Sequence, residues 1–258
     1  MSENTEAVSL GRKIFFLHPS AVIQNQVVPE LAQEEFEVYA VKDETKLRRV
    51  LKKYPNSIVI ACINEGMREN AWEEWIKGTL ANGDTAGVDI GVIASVDDAA
   101  ARRRYTDQIK LRCGYTVWKP SEFSGMMKIL VDILNAVNAK GRRKYIRAVT
   151  GNETNITINI PMNGTFVNGL IRDISSVGLS CTFADSPSLA KNSHFPDLQI
   201  RLQTQLLKIE GIVFGSRQDG ADKIYVILFT QRLSPDVRTR IRKFIQSYLQ
   251  SAMDAEFK

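Results

Sequence analysis

The first half of the chain alternates between short continuous apolar runs and longer segments with helical spacing. The apolar runs cover residues 14–17, 36–41, 58–63, 90–94 and 115–118. Runs without polar alternation are typical of strands that are buried on both faces. The amphipathic segments cover residues 20–35, 44–53, 70–81, 97–110 and 121–138. Strands that alternate with helices predict a flavodoxin-like α/β domain with a doubly wound parallel sheet, which we place over residues 1–138.

The second half has a different pattern, with short strands and no helix between them. Residues 155–160 alternate strictly between polar and apolar side chains, as expected of a strand with one wet face. Further strand-like runs cover residues 166–174, 179–183, 198–202, 206–214 and 224–229. Six such strands predict an antiparallel barrel, because closure removes exposed sheet edges. Ser234 and Pro235 then begin a C-terminal helix whose apolar stripe is expected to pack on the barrel.

These patterns divide the chain into an α/β domain (1–138), a basic linker (139–148) and a barrel with its helix (149–258). No window approaches the roughly 20 apolar residues of a membrane span, and the first residues are polar, so we expect a cytoplasmic protein. The three cysteines lie in apolar stretches, which predicts buried reduced thiols. With two histidines and no metal-binding spacing, neither a metal nor a cofactor is expected.

Charge is concentrated in the linker, although the net charge of the whole chain is only +5. Five cations lie within eight residues, at Lys140, Arg142, Arg143, Lys144 and Arg147. A basic linker is usually only a solvated connector. Here, however, a strand about 26 residues downstream ends in an acid, a hydroxyl and a glycine, at Asp173, Ser175 and Gly178.

The pair Arg143-x-x-x-Arg147 and Asp173-x-Ser175-x-x-Gly178 resembles the signature of the PilZ domain. That resemblance covers about residues 140–250 and implies a six-stranded barrel that binds the second messenger cyclic di-GMP. It also implies a set of ligand-binding residues: Arg143, Arg147, Asp173, Ser175 and Gly178. Arg142, immediately before the first motif arginine, is a further candidate for a phosphate contact. In one respect the sequence departs from the family, since Tyr225 occupies a position where a glycine commonly opens the late strand.

The chemistry of these residues suits such a ligand. An arginine fork pairs with the guanine O6 and N7 acceptors, and its flat face stacks on the purine. The Asp173 carboxylate is an acceptor for the guanine N1 and N2 donors, Ser175 is a partner for phosphate or base, and Gly178 permits close backbone approach. We therefore expect Arg143 and Arg147 to fold over the ligand from the linker.

The first domain is similar to a response-regulator receiver, with Lys119-Pro120 after the fifth run. A working receiver needs a phosphoryl-accepting aspartate after the third strand and an acidic pair after the first strand. In this chain Asn64 lies near the first position and His18-Pro19-Ser20 follows the first strand. Ser95 and Lys119 are the remaining matches. The pattern predicts a domain without phosphorylation chemistry, which serves as a docking surface for an unidentified protein effector.

The leading hypothesis is a receptor in which cyclic di-GMP orders the linker and changes the arrangement of the domains. One alternative is an adaptor of the PilZ type that binds proteins only. Another is nucleic-acid binding by the linker, which is not expected because Tyr145 is the only aromatic group there. A phosphorylated regulator is a third, and the missing acidic pair argues against it. No nucleophile, base and orienting acid come together as in an enzyme.

Overall fold

The computed structural model describes residues 11–151, 153–162, 164–184 and 187–257, so the first ten residues of the predicted α/β domain lie outside it. The chain forms two compact units. The first comprises Met1–Lys144 with Leu249–Lys258, and the second comprises Tyr145–Tyr248. Most of the predicted linker and the end of the predicted barrel domain thus group with the first unit. The exact domain limits stay a prediction.

The first unit contains a parallel sheet in the order β2-β1-β3-β4-β5. Its strands are β1 (Ile14–Leu17), β2 (Val38–Val41), β3 (Ile58–Cys62), β4 (Asp89–Ala94) and β5 (Tyr115–Val117). Four of the five are nearly or wholly apolar, and every residue of β1 to β4 except Ala40 is buried. The predicted five-stranded parallel sheet is confirmed, and it is consistent with a flavodoxin-like fold.

Helices cover both faces of this sheet. They are α1 (Val28–Gln33, preceded by a π-helical turn, Ile23–Val27), α2 (Glu44–Lys53), α3 (Glu69–Ala81), α4 (Ala99–Arg103) and α5 (Phe123–Ala136). Successive residues of a strand point to opposite faces. Accordingly, Ile14 and Phe16 pack in the core with α1 and α5, whereas Phe15 and Leu17 pack in the core with α2 and α3.

The two tryptophans of α3 belong to this second core. Trp72 is fully buried and Trp75 is 6% exposed. Their indole N–H groups donate to the Glu65 and Glu44 carbonyls, both at 3.1 Å. Both tryptophans are therefore core residues and do not form an exposed surface for a partner.

The second unit is an antiparallel barrel. Its strands are β6 (Arg147–Val149), β7 (Ile156–Met162), β8 (Thr165–Ser175), β9 (Gly178–Phe183), β10 (His194–Leu202), β11 (Gln205–Asp219) and β12 (Asp222–Phe229). The order β8-β7-β10-β11-β12-β9 closes on itself through the β8–β9 pairing. The predicted six-stranded barrel is confirmed. The short strand β6 pairs with the last three residues of β8, Asp173 to Ser175. The sequence patterns place most of β6 in the predicted linker.

The barrel interior explains the tyrosine at position 225. Tyr225 is fully buried, its ring packs edge-on against Phe183 at 5.9 Å, and its hydroxyl donates to the Pro187 carbonyl. A buried tyrosine needs a partner for its hydroxyl, and this carbonyl provides one. The departure from the family pattern is therefore accommodated by the loop before β10.

The C-terminal helix α6 (Pro235–Glu256) follows β12. The Ser234 hydroxyl accepts from the Val237 N–H at 3.3 Å, which confirms the predicted N-cap. In the second unit the helix buries Ile241, Phe244 and Ile245. No helix among the described residues is long and apolar enough to cross a membrane.

The last turns of α6 belong to the first unit. Met253 lies in its core, and the Gln250 side-chain amide bonds to both backbone groups of Ala40. The Ala40 N–H donates to Gln250 Oε1 at 2.9 Å, and Gln250 Nε2 donates to the Ala40 carbonyl at 3.1 Å. Because β2 is an edge strand, this amide satisfies groups that a further strand would otherwise pair. The sequence prediction had assigned these turns to the barrel.

The three cysteines are free and buried, as predicted. Burial raises the pKa of the Cys62 and Cys113 thiols to about 12, and it raises the pKa of Cys181 above its ordinary value. All three are therefore neutral thiols at physiological pH, in keeping with a packing role.

We predict that Gln250→Ala destabilises the first unit by about 1–3 kcal/mol, because both backbone groups of Ala40 lose their partner. The melting temperature, followed by circular dichroism, should fall by roughly 2–4 °C for each kcal/mol of lost stability. Gln246→Ala, one helical turn earlier, removes the same group and serves as the control. Equal melting temperatures for the two variants would contradict a role of Gln250 at the sheet edge.

Candidate functional site

The turn between β8 and β9 places the second motif. Only Ser176 and Val177 separate the two strands, so the pairing continues as Ser175 with Gly178, Ile174 with Leu179 and Asp173 with Ser180. In a two-residue turn the register follows directly from the chain, because the flanking residues must face each other. Asp173 and Ser180 are therefore neighbours across the ladder.

Asp173 is held between a hydroxyl and a guanidinium. The Ser180 O–H donates to Asp173 Oδ2, and Arg147 Nη1 lies 3.7 Å from Asp173 Oδ1. The carboxylate is 24% exposed, so it is oriented by these partners and still accessible. Each carboxylate oxygen accepts more than one hydrogen bond, which leaves acceptor capacity for an incoming donor.

Ser175 serves the turn itself. It is 4% exposed, its hydroxyl donates to the Gly178 carbonyl at 3.1 Å, and its oxygen accepts from the Val177 N–H at 3.4 Å. Both functions of the hydroxyl are thus engaged within the hairpin. A direct contact of Ser175 with a ligand stays a prediction, whereas its role in shaping the turn is visible.

Gly178 is required by the closure of the barrel. A Cβ at this position would lie 2.6 Å from the Ile227 carbonyl oxygen and 3.2 Å from the Leu228 Cα. Both are backbone atoms of β12, which pairs with β9 in this region. Only glycine fits this close approach of two strands.

The strand β6 brings the second arginine of the first motif to the same place. Arg147 pairs with Ser175, Ala148 with Ile174 and Val149 with Asp173. Ala148 is fully buried and Arg147 points outward, with 53% of its side chain exposed. Backbone pairing therefore fixes Arg147 beside the carboxylate, although the two residues are 26 positions apart in sequence.

Together these residues line a shallow surface depression of about 100 Å³, which we call the Asp173 groove. It is lined by Arg147, Asp173, Ser175, Val177, Gly178, Leu179, Ser180, Arg217, Val226 and Leu228. Four of the six predicted ligand residues are in this set. One wall is charged and the other is apolar, with Leu228 39% exposed.

Six of the lining residues were missed by sequence reasoning: Val177, Leu179, Ser180, Arg217, Val226 and Leu228. Ser180 could have been found, because the two-residue turn places it opposite Asp173. Arg217 and Leu228 carry no local signal. Leu228 lies at the groove because it pairs with Gly178 of β9, and Arg217 lies on β11, the neighbour of β12 on its other side.

Arg142 and Arg143 do not line the groove. They precede β6 in a segment without regular structure, and both are exposed. Neither makes a hydrogen bond or an ion pair with any residue that the structure describes. Their predicted role as ligand groups is untested and requires the segment to fold toward a ligand.

In the first unit, Asn64 and Lys119, which the resemblance to a receiver singles out, make contacts within the unit. Asn64 Oδ1 accepts from the Ser95 N–H at 2.6 Å, and Lys119 Nζ lies 3.4 Å from Glu122 Oε1. The amide therefore ties the end of β3 to the end of β4. Within the described ranges, no three His, Cys, Asp or Glu side chains are placed to hold a metal ion.

Comparisons with known proteins locate a family in the second half. The model of the PilZ domain matches residues 141–247. No curated protein matches the sequence.

Several solved structures are similar. The PilZ domain of YcgR from Escherichia coli with c-di-GMP is 15% identical, with a TM-score of 0.41 over 45% of this chain and 98% of that one. The K. pneumonia MrkH complex with c-di-GMP is 19% identical, with a TM-score of 0.40 over 44% of this chain and 55% of that one. The Borreliella burgdorferi PlzA protein in complex with c-di-GMP is 14% identical, with a TM-score of 0.28 over 47% of this chain and 57% of that one. The chain thus covers little more than half of the latter two. Residues 141–247, with the closed barrel and both sequence motifs, form a PilZ domain.

Proposed function

We propose that this protein is a receptor for cyclic di-GMP that binds the nucleotide in the Asp173 groove. The observation that carries the proposal is the pairing of β6 with β8, which sets Arg147 beside Asp173. An oriented carboxylate next to an exposed guanidinium offers both the acceptor and the donors that the two edges of guanine require. The family match at residues 141–247 supports the same ligand.

The groove suits a base more than a whole dinucleotide. Its apolar wall, with Val226 and Leu228, offers a surface for a purine ring, and Arg147 and Arg217 bring positive charge for phosphate. A space of about 100 Å³ encloses only part of a cyclic dinucleotide. The remaining contacts must come from elsewhere, and we assign them to Arg142 and Arg143.

This assignment gives binding a structural consequence. Arg142 and Arg143 are exposed residues of the first unit and lie shortly before β6, so recruiting them orders the segment that leads to β6. Ordering a segment costs conformational entropy, which ligand contacts offset. We infer that the bound and free proteins differ in the arrangement of their units, and that an effector distinguishes the two states.

The receptor function is tested by calorimetric titration with cyclic di-GMP, with GTP and cyclic di-AMP as controls. We expect micromolar or tighter binding, about 8 kcal/mol or more, for cyclic di-GMP alone. Arg143→Ala and Asp173→Ala should each weaken it about 10-fold or more, since hydrogen bonds to charged groups contribute about 1.5–3 kcal/mol. The exposed Arg201→Ala and Asp197→Ala variants on β10 are the matched controls. Absence of heat and of thermal stabilisation would refute the proposal.

Arg217 provides a sharper test, because sequence reasoning gave it no role. We expect Arg217→Ala to weaken cyclic di-GMP binding about 10-fold. Its melting temperature should stay at the wild-type value, since the Arg217 side chain has no hydrogen bond or ion pair with the described part of the chain. The same titration and a thermal melt measure both. Unchanged affinity would exclude Arg217 from the ligand site.

The change in domain arrangement is tested by small-angle X-ray scattering with and without saturating cyclic di-GMP. We expect a change in the radius of gyration that is absent in Arg143→Ala at the same nucleotide concentration. Identical scattering curves for a protein that calorimetry shows to be saturated would reject the coupling and leave the receptor function intact.

A further inference from the structure

The first unit contains a larger cavity than the Asp173 groove, at the amino-terminal edge of its parallel sheet. The cavity has a volume of about 520 Å³. It is lined by Arg12, Asn56, Gly87, Arg112, Val137, Asn138, Gly141 and Arg142. Four of these eight residues lie two or three positions before the strands β1, β3, β4 and β5, and the other four follow α5. Its volume falls within the range of small-molecule sites.

Arg12 forms a fixed wall of this cavity. Its guanidinium donates to Asn56 O (2.7 Å), Asp89 Oδ2 (2.5 Å), Val137 O (3.0 Å), Ser57 O (3.0 Å) and Gly87 O (3.3 Å). An arginine has five N–H donors, so all of them are used. Arg12 therefore contributes positive charge and rigidity but has no donor left for a ligand.

Asp89 compensates part of this charge. It is 3% exposed, and it pairs with Arg12 through Oδ2 and with Arg112 Nη1 through Oδ1 at 2.9 Å. One buried carboxylate thus faces two guanidiniums, and Arg142 adds a third to the cavity wall. The cavity keeps an excess of positive charge.

Two of the three arginines retain donors. Arg112 is 71% exposed, and Asp89 is its ion-pair partner. Arg142 is exposed and has no hydrogen-bond or ion-pair partner among the residues that the structure describes. A planar guanidinium with free N–H donors binds two phosphate oxygens at once through charge-assisted hydrogen bonds. A cavity with a rigid, positively charged wall at Arg12 and two available guanidinium groups, on Arg112 and Arg142, is suited to a multiply charged phosphate.

We propose that this cavity is a second ligand site, which binds a small phosphate-bearing molecule through Arg112 and Arg142. The site is built entirely from residues of the first unit and does not depend on the Asp173 groove. Arg142, the first arginine of the linker, thus has a second proposed ligand in addition to cyclic di-GMP.

The test is a calorimetric titration of the full chain with sodium pyrophosphate at constant ionic strength. We expect saturable binding that Arg112→Gln and Arg142→Gln each weaken about 10-fold or more. Arg103→Gln removes the same charge from an exposed position on α4 and should leave the affinity unchanged. Citrate, a polyanion without phosphate, should bind at least 10-fold more weakly. Arg12 is not substituted, because its loss would break the wall itself.

Asp173→Ala and Arg147→Ala separate this site from the groove. Both variants should bind pyrophosphate as the wild-type protein does. Loss of binding in these variants, equal weakening by Arg103→Gln, equal affinity for citrate, or no saturable heat at all would each overturn the proposal. Thermal melts of the glutamine variants confirm that they remain folded.

Discussion

The two-residue turn between β8 and β9 is the constraint on which the second unit depends. It sets the register that places Ser180 opposite Asp173. The Ser175 hydroxyl supports the turn by donating to the Gly178 carbonyl and accepting from the Val177 N–H. The strand that follows must then approach β12 closely, which only a glycine at 178 allows. One short hairpin therefore closes the barrel and orients the carboxylate at the same time. This explains why the acid, the hydroxyl and the glycine occur together in one motif.

The arginine that faces this carboxylate arrives by a different route. Arg147 is held by backbone pairing of β6, a strand of three residues, while its neighbours Arg142 and Arg143 have no regular structure. The basic segment is thus divided physically into an anchored end and an exposed end. Such a division suits a ligand clamp, because one contact is preorganised and the others form only when a ligand offsets their entropy.

In the first unit, several polar side chains serve the structure itself. Through five hydrogen bonds, Arg12 joins the segments at the starts of β3 and β4 to the end of α5. Gln250 pairs with an edge strand as a further strand would. The Asn64 side-chain oxygen accepts a hydrogen bond from the Ser95 N–H, at the sheet edge where a receiver domain would carry its phosphoryl group. These contacts give a well-packed α/β unit whose polar edges are occupied by its own side chains.

By itself, the sequence determined the elements and the local chemistry. Apolar runs and strict alternation identified the strands, because burial on two faces or on one leaves a direct imprint on side-chain polarity. The motif from Asp173 to Gly178 was legible because a single turn holds it together. Only the tertiary structure decided what long-range pairing brings together. Arg217 and Leu228 reach the groove through the pairing of β11 with β12 and of β12 with β9. The strand β6 forms because β8 supplies a partner edge, and the end of α6 joins the first unit through Gln250. Such contacts join residues far apart in the chain, so no local pattern records them.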